Sequence, residues 1–290
     1  ELMDMNNIGK AVILPIPHKD FDTEKTNDYV FEAYQKYPDR LIPFCRIDEH
    51  LEENLKKGFR GVKLHLLYED IDIKRIKKEL QLIEDANVPI IVHAKFADKP
   101  KQIEQIFKYA PNINVILAHM GRGHLYTGEQ TIANALALRK YPGLYMDLST
   151  VGDLQAIINV CEIIGYDRVI YASDYPFGKN CLKERYNYAD ELSILERHLD
   201  GENGERVFGR NIAGLLNLRS DVFVRRAKKT DVDSIMEIFS CISSEDQKFL
   251  AYSSKASLIR QIIRSERHCY VAVHENTIIG FLRESGRPEG

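Results

Sequence analysis

Along most of this chain, short apolar runs rich in β-branched residues alternate with segments whose apolar positions recur every three or four residues. The runs lie at 11–14 (AVIL), 41–44 (LIPF), 61–65 (GVKLH), 90–93 (IIVH), 115–119 (VILAH), 144–147 (LYMD) and 169–172 (VIYA). Runs that are almost wholly apolar predict strands of a sheet covered on both faces. Between them, the spacing of Ile73, Ile76, Leu80 and Ile83 predicts a helix over 71–86. Another is predicted over 100–109, where Pro100 suits a first helical turn. Strand and helix in alternation predict βαβ units and a parallel sheet. The expected fold class is α/β, a (β/α)8 TIM-type barrel, with an open doubly wound sheet as the alternative.

Seven such runs precede residue 178, whereas a closed barrel of this type has eight strands. Residues 1–9 (ELMDMNNIG) read as the end of a helix stopped by Gly9. The expectation is therefore a barrel lacking its first strand, in a chain truncated at its amino end. After Leu218 the pattern changes. Residues 219–221 are a short polar joint, and 222–227 read as a strand. Thr230 is expected to cap a helix with Asp231 and Asp233 in its first turn. A second helix fits 255–264, and a hairpin follows with strands at 269–273 and 277–282. Two domains are expected, a barrel over 1–218 and a partial, smaller α/β unit over 219–290.

Composition narrows the class without choosing a chemistry. The 290 residues, 44% hydrophobic and 29% charged, suffice for a soluble chain with a full core. A net charge of -3 gives no reason to expect nucleic acid or a membrane surface as partner. No apolar run approaches the roughly 20 residues that cross a bilayer, and the first residues carry no secretory pattern. The 5 cysteines are scattered without a CxxC pair, which speaks against a disulfide framework and for a reducing cytoplasm. The expected partner is a small-molecule substrate, with a homo-oligomer left open.

The chemistry collects at the ends of the runs. His65, His93, His119 and Asp174 each end or closely follow a predicted strand. Active sites of parallel barrels sit at the carboxyl ends of their strands. One histidine there would mean little; three with an aspartate, on four strands, form a pattern. Imidazole and carboxylate suit zinc and similar divalent ions. A metal lowers the pKa of its bound water towards about 7, and a neighbouring carboxylate can take or give the proton. His124 and Arg122 lie on a loop at the same end and read either as site residues or as a solvated loop. Asp147, Ser149 and His18 read either as pocket-lining or as structural residues. His50, His198, His268 and His274 read as surface residues.

The segments NVILAHMG (114–121), YASDYPF (171–177), GVKLH (61–65) and GRNIAGLLNL (209–218) resemble the barrel of the amidohydrolase-related proteins. That branch holds metal-dependent hydrolases and non-oxidative decarboxylases of aromatic and related acids. The resemblance implies that His93 and Asp174 ligate a divalent metal, zinc first. It implies that Asp174 also handles protons, and that His119 acts as acid/base or polarises the substrate. The family's His-x-His of the first strand has no counterpart in this chain, which agrees with the missing strand. Lys63 has three readings: a carboxylated bridge between metals, a cation holding a substrate carboxylate, or a structural residue. His65 is either site-lining or structural.

Residues 222–290 resemble the opening of a Gcn5-related N-acetyltransferase in RRAKKTDVDSIMEIF and CYVAVHENTIIGFLRE. The Gly-rich turn that would hold acetyl-CoA is not in the sequence, so the cofactor is expected only if the domain is completed beyond residue 290. The expected function is a metal-dependent hydrolase of an amide, ester, lactone or cyclic C–N bond. A decarboxylase of the same branch and a non-catalytic binding or scaffold protein are the alternatives.

Overall fold

A computed structural model of the chain describes residues 2–6, 8–18, 20–69, 71–94, 99–122, 128–176, 188–199, 201–218, 223–241, 269–274 and 277–283. The chain divides into two compact units, Glu1–Leu218 and Arg219–Gly290.

In the first unit the strands are β1 (Ala11–Ile13), β2 (Leu41–Pro43), β3 (Cys45–Arg46), β4 (Val62–His65), β5 (Ile90–His93), β6 (Val115–Leu117), β7 (Leu144–Asp147) and β8 (Val169–Ile170). β1 pairs with β2, and β3 to β8 pair in chain order; every pairing is parallel. Phe44 links the two sets: its N–H donates to the Ile13 carbonyl, and the next N–H, of Cys45, donates to Gly61. A Cβ at residue 61 would run into the Phe44 ring, so the close approach requires glycine. The helices are α1 (Leu2–Met5), α2 (Thr23–Lys36), α3 (Leu51–Lys57), α4 (Lys77–Asp85), α5 (Lys99–Tyr109), α6 (Gly128–Leu138), α7 (Leu154–Ile164), α8 (Tyr188–His198), α9 (Gly201–Glu205) and α10 (Asn211–Leu215).

Strand alternation divides the sheet into two faces. Val62, Leu64, Ile90, Val92, Val115 and Leu117 pack against the helices, with Leu80, Ile83, Ile103, Ile106 and Val160 in the same core. Many of these side chains are fully buried, and each such burial contributes about 1.5–3 kcal/mol before entropy is charged. The opposite, inner face carries Lys63 and His65, Ile91 and His93, Ile116, Tyr145 and Asp147, and Ile170, in parallel register. Ile116, Ile170, Ile91 and Tyr145 meet Ile212 and Leu215 of α10. That end of the inner face is therefore filled, and the end carrying the carboxyl termini of the strands is left to polar residues.

Local differences from the sequence expectations have physical causes. The helix expected over 71–86 begins only at Lys77. The Asp72 carboxylate accepts from the Lys74 N–H, and its carbonyl from the Arg75 N–H, so this aspartate competes with helix formation. The strand expected over 115–119 ends at Leu117 and passes into a 3₁₀ turn, Ala118–Gly121, in which His119 and Met120 have φ of 57° and 51°.

The second unit contains β9 (Phe223–Arg226), α11 (Val232–Ser240), β10 (Cys269–His274) and β11 (Thr277–Arg283). Its sheet is antiparallel, in the order β11-β10-β9. Val232 and Ile235 of α11 pack on Val271 and Val273. The cap is not Thr230. A 3₁₀ turn, Lys229–Asp231, precedes the helix, and the Asp231 carboxylate accepts from the Lys228 N–H at 2.7 Å. The helix expected over 255–264 and the turn residues 275–276 lie outside the described residues.

Candidate active site

Lys63 and His65 end β4, two residues apart on one face, and His93 ends β5 in register with His65. Their rings stack at 4.1 Å between centroids and 14°. His119 follows β6, its ring edge-on to His93 at 4.9 Å. Asp174 follows β8 and lies within electrostatic reach of His119, Asp147, Lys63 and Arg122. The structure thus gathers Lys63, His65, His93, His119, Arg122 and Asp174 at the carboxyl ends of the strands. His124 lies outside the described residues.

Unusual backbone marks the same place. His119, Met120, Thr150 and Asp174 all have φ between 51° and 57°. Side chains disfavour this left-handed region, and such strain gathers at functional sites. The turn at His119 is held from three sides. The Asp147 carboxylate accepts from the His119 N–H at 3.0 Å. Asn134 donates to the Met120 and Gly121 carbonyls, at 3.2 and 2.8 Å. The buried Lys99 amine donates to the Gly121 and Arg122 carbonyls, at 2.7 and 2.6 Å. Arg122 in turn donates to the Thr150 hydroxyl at 3.0 Å.

The hydrogen bonds of His119 set its tautomer. Nδ1 lies 2.8 Å from the Ser149 hydroxyl, 3.1 Å from the Ser149 carbonyl and 3.2 Å from the Thr150 hydroxyl. The Ser149 hydroxyl donates to Asp147 and the carbonyl can only accept, so we assign the hydrogen to Nδ1. Nε2 then presents a lone pair. The Ser149 hydroxyl bonds to the Asp147 carboxylate, tying this set to β7. Burial pushes His119 towards neutral imidazole, against the pull of Asp147 and Asp174. Burial also raises Asp174, towards the protonated carboxyl. His65 is pushed down to about 3 by burial and by Lys63, and His93 is lowered by burial and by the neighbouring imidazoles. Burial lowers Lys63 as well, while Asp147 and Asp174 favour its charged form.

Three residues that hold the site gave no sequence signal. Arg46 and Glu69 form a buried ion pair at 2.6 Å, and the other Glu69 oxygen accepts from the His65 N–H at 2.7 Å. Lys99 is the third. Their partners are 4 to 23 residues away, at spacings that belong to no motif. Asp147, read as a pocket-lining or structural residue, is a buried acceptor for His119 and Ser149.

Neutral imidazole and carboxylate are the donor types of a divalent cation site. In number the set falls short: among the described residues no group of three or more His, Cys, Asp or Glu could hold a metal ion.

Solved structures with the same barrel include a Pseudomonas putida protein named as a candidate 2-pyrone-4,6-dicarboxylic acid hydrolase. It is 17% identical, with a TM-score of 0.62, over 75% of this chain and 86% of that one. A 2,6-dihydroxybenzoate decarboxylase from Rhizobium is 18% identical, with a TM-score of 0.55, over 75% of this chain and 86% of its own. A 5-carboxyvanillate decarboxylase from Novosphingobium aromaticivorans, in complex with manganese and 4-hydroxy-3-methoxy-5-nitrobenzoic acid, is 17% identical, with a TM-score of 0.57, over 74% of this chain and 78% of its own. No curated protein sequence matches the chain. At these identities the likeness establishes the fold, an α/β barrel with a parallel sheet. The chain belongs to the amidohydrolase family, whose profile matches residues 7–218. No helix among the described residues is long and apolar enough to cross a membrane.

Proposed function

We propose that residues 1–218 are the catalytic domain of a metal-dependent hydrolase acting on an amide, ester, lactone or cyclic C–N bond. The observation that carries this reading is the gathering of His93, His119 and Asp174 at the carboxyl ends of their strands, with His119 edge-on to His93 and within electrostatic reach of Asp174. Neutral His119 presents a lone pair, and Asp174 acts as a carboxylate that can accept a proton. Asp174 takes the proton of the attacking water and passes it to the leaving group. His119, fixed by Ser149 and Asp147, presents Nε2 to the reacting group. Lys63 and Arg122 supply positive charge for a substrate carboxylate, and His65 lines the pocket. A divalent metal, zinc first, would be held in part by His93 and Asp174; when bound it supplies an activated water and a Lewis acid.

A second reading, non-oxidative decarboxylation, draws on the two structural neighbours named as decarboxylases. Here the same pair would deliver a proton to the carbon that loses carbon dioxide. For residues 219–290 the order strand, helix, hairpin supports an N-acetyltransferase-like unit. The family match stops at residue 218.

Product analysis tests the reading. The metal-supplemented protein is offered lactones, cyclic amides and aromatic acids, and both carboxylate release and carbon dioxide are measured. Hydrolysis without carbon dioxide is expected. Asp174→Asn should lower the rate by about 10²–10⁴. Carbon dioxide as product selects the second reading, and an undiminished rate in Asp174→Asn removes Asp174 from the mechanism.

A further inference from the structure

The acid–base pair leaves a neighbouring group of rings without a role. Phe21 is 47% exposed and Tyr68 is 52% exposed, with His18 between them. The His18 ring lies 5.3 Å from Phe21 and 6.2 Å from Tyr68. Tyr68 lies flat on His65 at 4.4 Å and 13°, and His65 lies flat on His93. The exposed rings are therefore the outer end of a continuous stack that leads to His119. Single exposed aromatics are ordinary; these are joined to one another and to the site.

Their placement is built. Arg46 and Glu69, with side chains only 4% and 5% exposed, pair at 2.6 Å. The Arg46 guanidinium also points at three carbonyls of the loop after β1, those of Ile16, His18 and Phe21, at 3.3–3.5 Å. Glu69 reaches the His65 N–H on the other side. One buried ion pair thus ties the loop carrying His18 and Phe21 to the turn carrying His65 and Tyr68. Burying two charges is expensive and adds little net stability over an apolar pair. What this pair fixes is the distance between two sets of rings.

We propose that Phe21, His18 and Tyr68 form a subsite for a flat apolar ring that the substrate carries beyond its reacting atoms. Stacked and edge-on rings attract beyond the area they bury, and Tyr68 offers its outer side to such a ring. Charge orients the ligand: Lys63 and Arg122 lie inward of the rings, so an acid would enter carboxylate first and leave its ring at the rim. This orientation rests on the reading of Lys63 and Arg122 given above; the ring subsite rests on the rings themselves.

Ligand-observed NMR titration of the full 290-residue chain separates the two. The probes are 2-naphthoate and its uncharged counterpart 2-naphthol, on the wild type, Tyr68→Leu, Phe21→Leu and Lys63→Met. Both probes should saturate the wild type. Either rim variant should weaken both probes by about five- to tenfold, while Lys63→Met weakens the naphthoate alone. If naphthoate binds no better than naphthol yet both depend on Tyr68, the ring subsite stands and the acid-substrate reading falls. Failure of both probes to bind the wild type, or unchanged affinities in both rim variants, overturns the subsite.

Discussion

The two ends of the barrel's inner face are made from the same strands and differ in everything else. Towards the amino ends, Ile91, Ile116 and Ile170 meet Ile212 and Leu215, and the space is filled with hydrocarbon. Two to four residues further along, the same strands and their loops present His93, His119 and Asp174, with His65 in register with His93 and Asp147 two residues after Tyr145. The lower end stabilises the fold by burial. The upper end costs stability, because charged and polar groups are withdrawn from water there. An interior that holds its ionisable groups at one end is built for chemistry at that end.

If the upper end is costly but ordered, removing its supports should be expensive. The largest loss of stability is expected for Arg46→Met. It leaves Glu69 as an unpaired buried charge and frees the loop after β1, at a cost of about 3–5 kcal/mol. The double variant Arg46→Met/Glu69→Leu should recover most of that. Chemical denaturation of the three proteins decides; an Arg46→Met protein as stable as wild type would mean that water already reaches Glu69.

A smaller effect, about 1–3 kcal/mol, is expected for Lys99→Met, which strips a donor from the Gly121 and Arg122 carbonyls. Its pH dependence has a definite sign. Burial and Arg122 push the Lys99 amine down to about 8 from an ordinary 10.5. Between those values the unfolded chain binds the proton and the folded chain does not, so the Lys99 contribution rises with pH from about 8 to about 10.5. The stability gap between wild type and Lys99→Met should therefore widen from pH 7.5 to 9.5, by about 2 kcal/mol. A gap that narrows over that range would show the amine held as a cation.

The sequence reveals these two ends unequally. The lower end was readable because β-branched runs such as IIVH and VIL carry fold information locally. The positions of His93, His119 and Asp174 at strand ends were readable for the same reason, since a strand boundary fixes which rim a residue joins. What escaped was the support. His119 was read as the last residue of a strand, but it sits in a left-handed turn that neither histidine nor methionine favours. Asn134, Lys99 and Asp147 impose that turn from distant parts of the chain. Arg46 and Glu69 were invisible for a related reason: a buried charge looks like a surface charge until its partner is placed. The aspartate at 72 misled more locally, by offering its own carboxylate to the backbone where periodicity suggested a helix.

The division of the inner face is tested most directly by measuring turnover and stability together on two residues three positions apart. His119→Asn changes the upper end and Ile116→Ala the lower. Asparagine tolerates the left-handed backbone at 119, so His119→Asn should keep its melting temperature and lose about 10²–10⁴ in rate. Ile116→Ala should lose about 2–5 kcal/mol of stability and, while folded, keep its rate within a few-fold. A crossed pattern is the predicted result. Rate and stability falling together in both variants, or a wild-type rate in His119→Asn, would contradict the account.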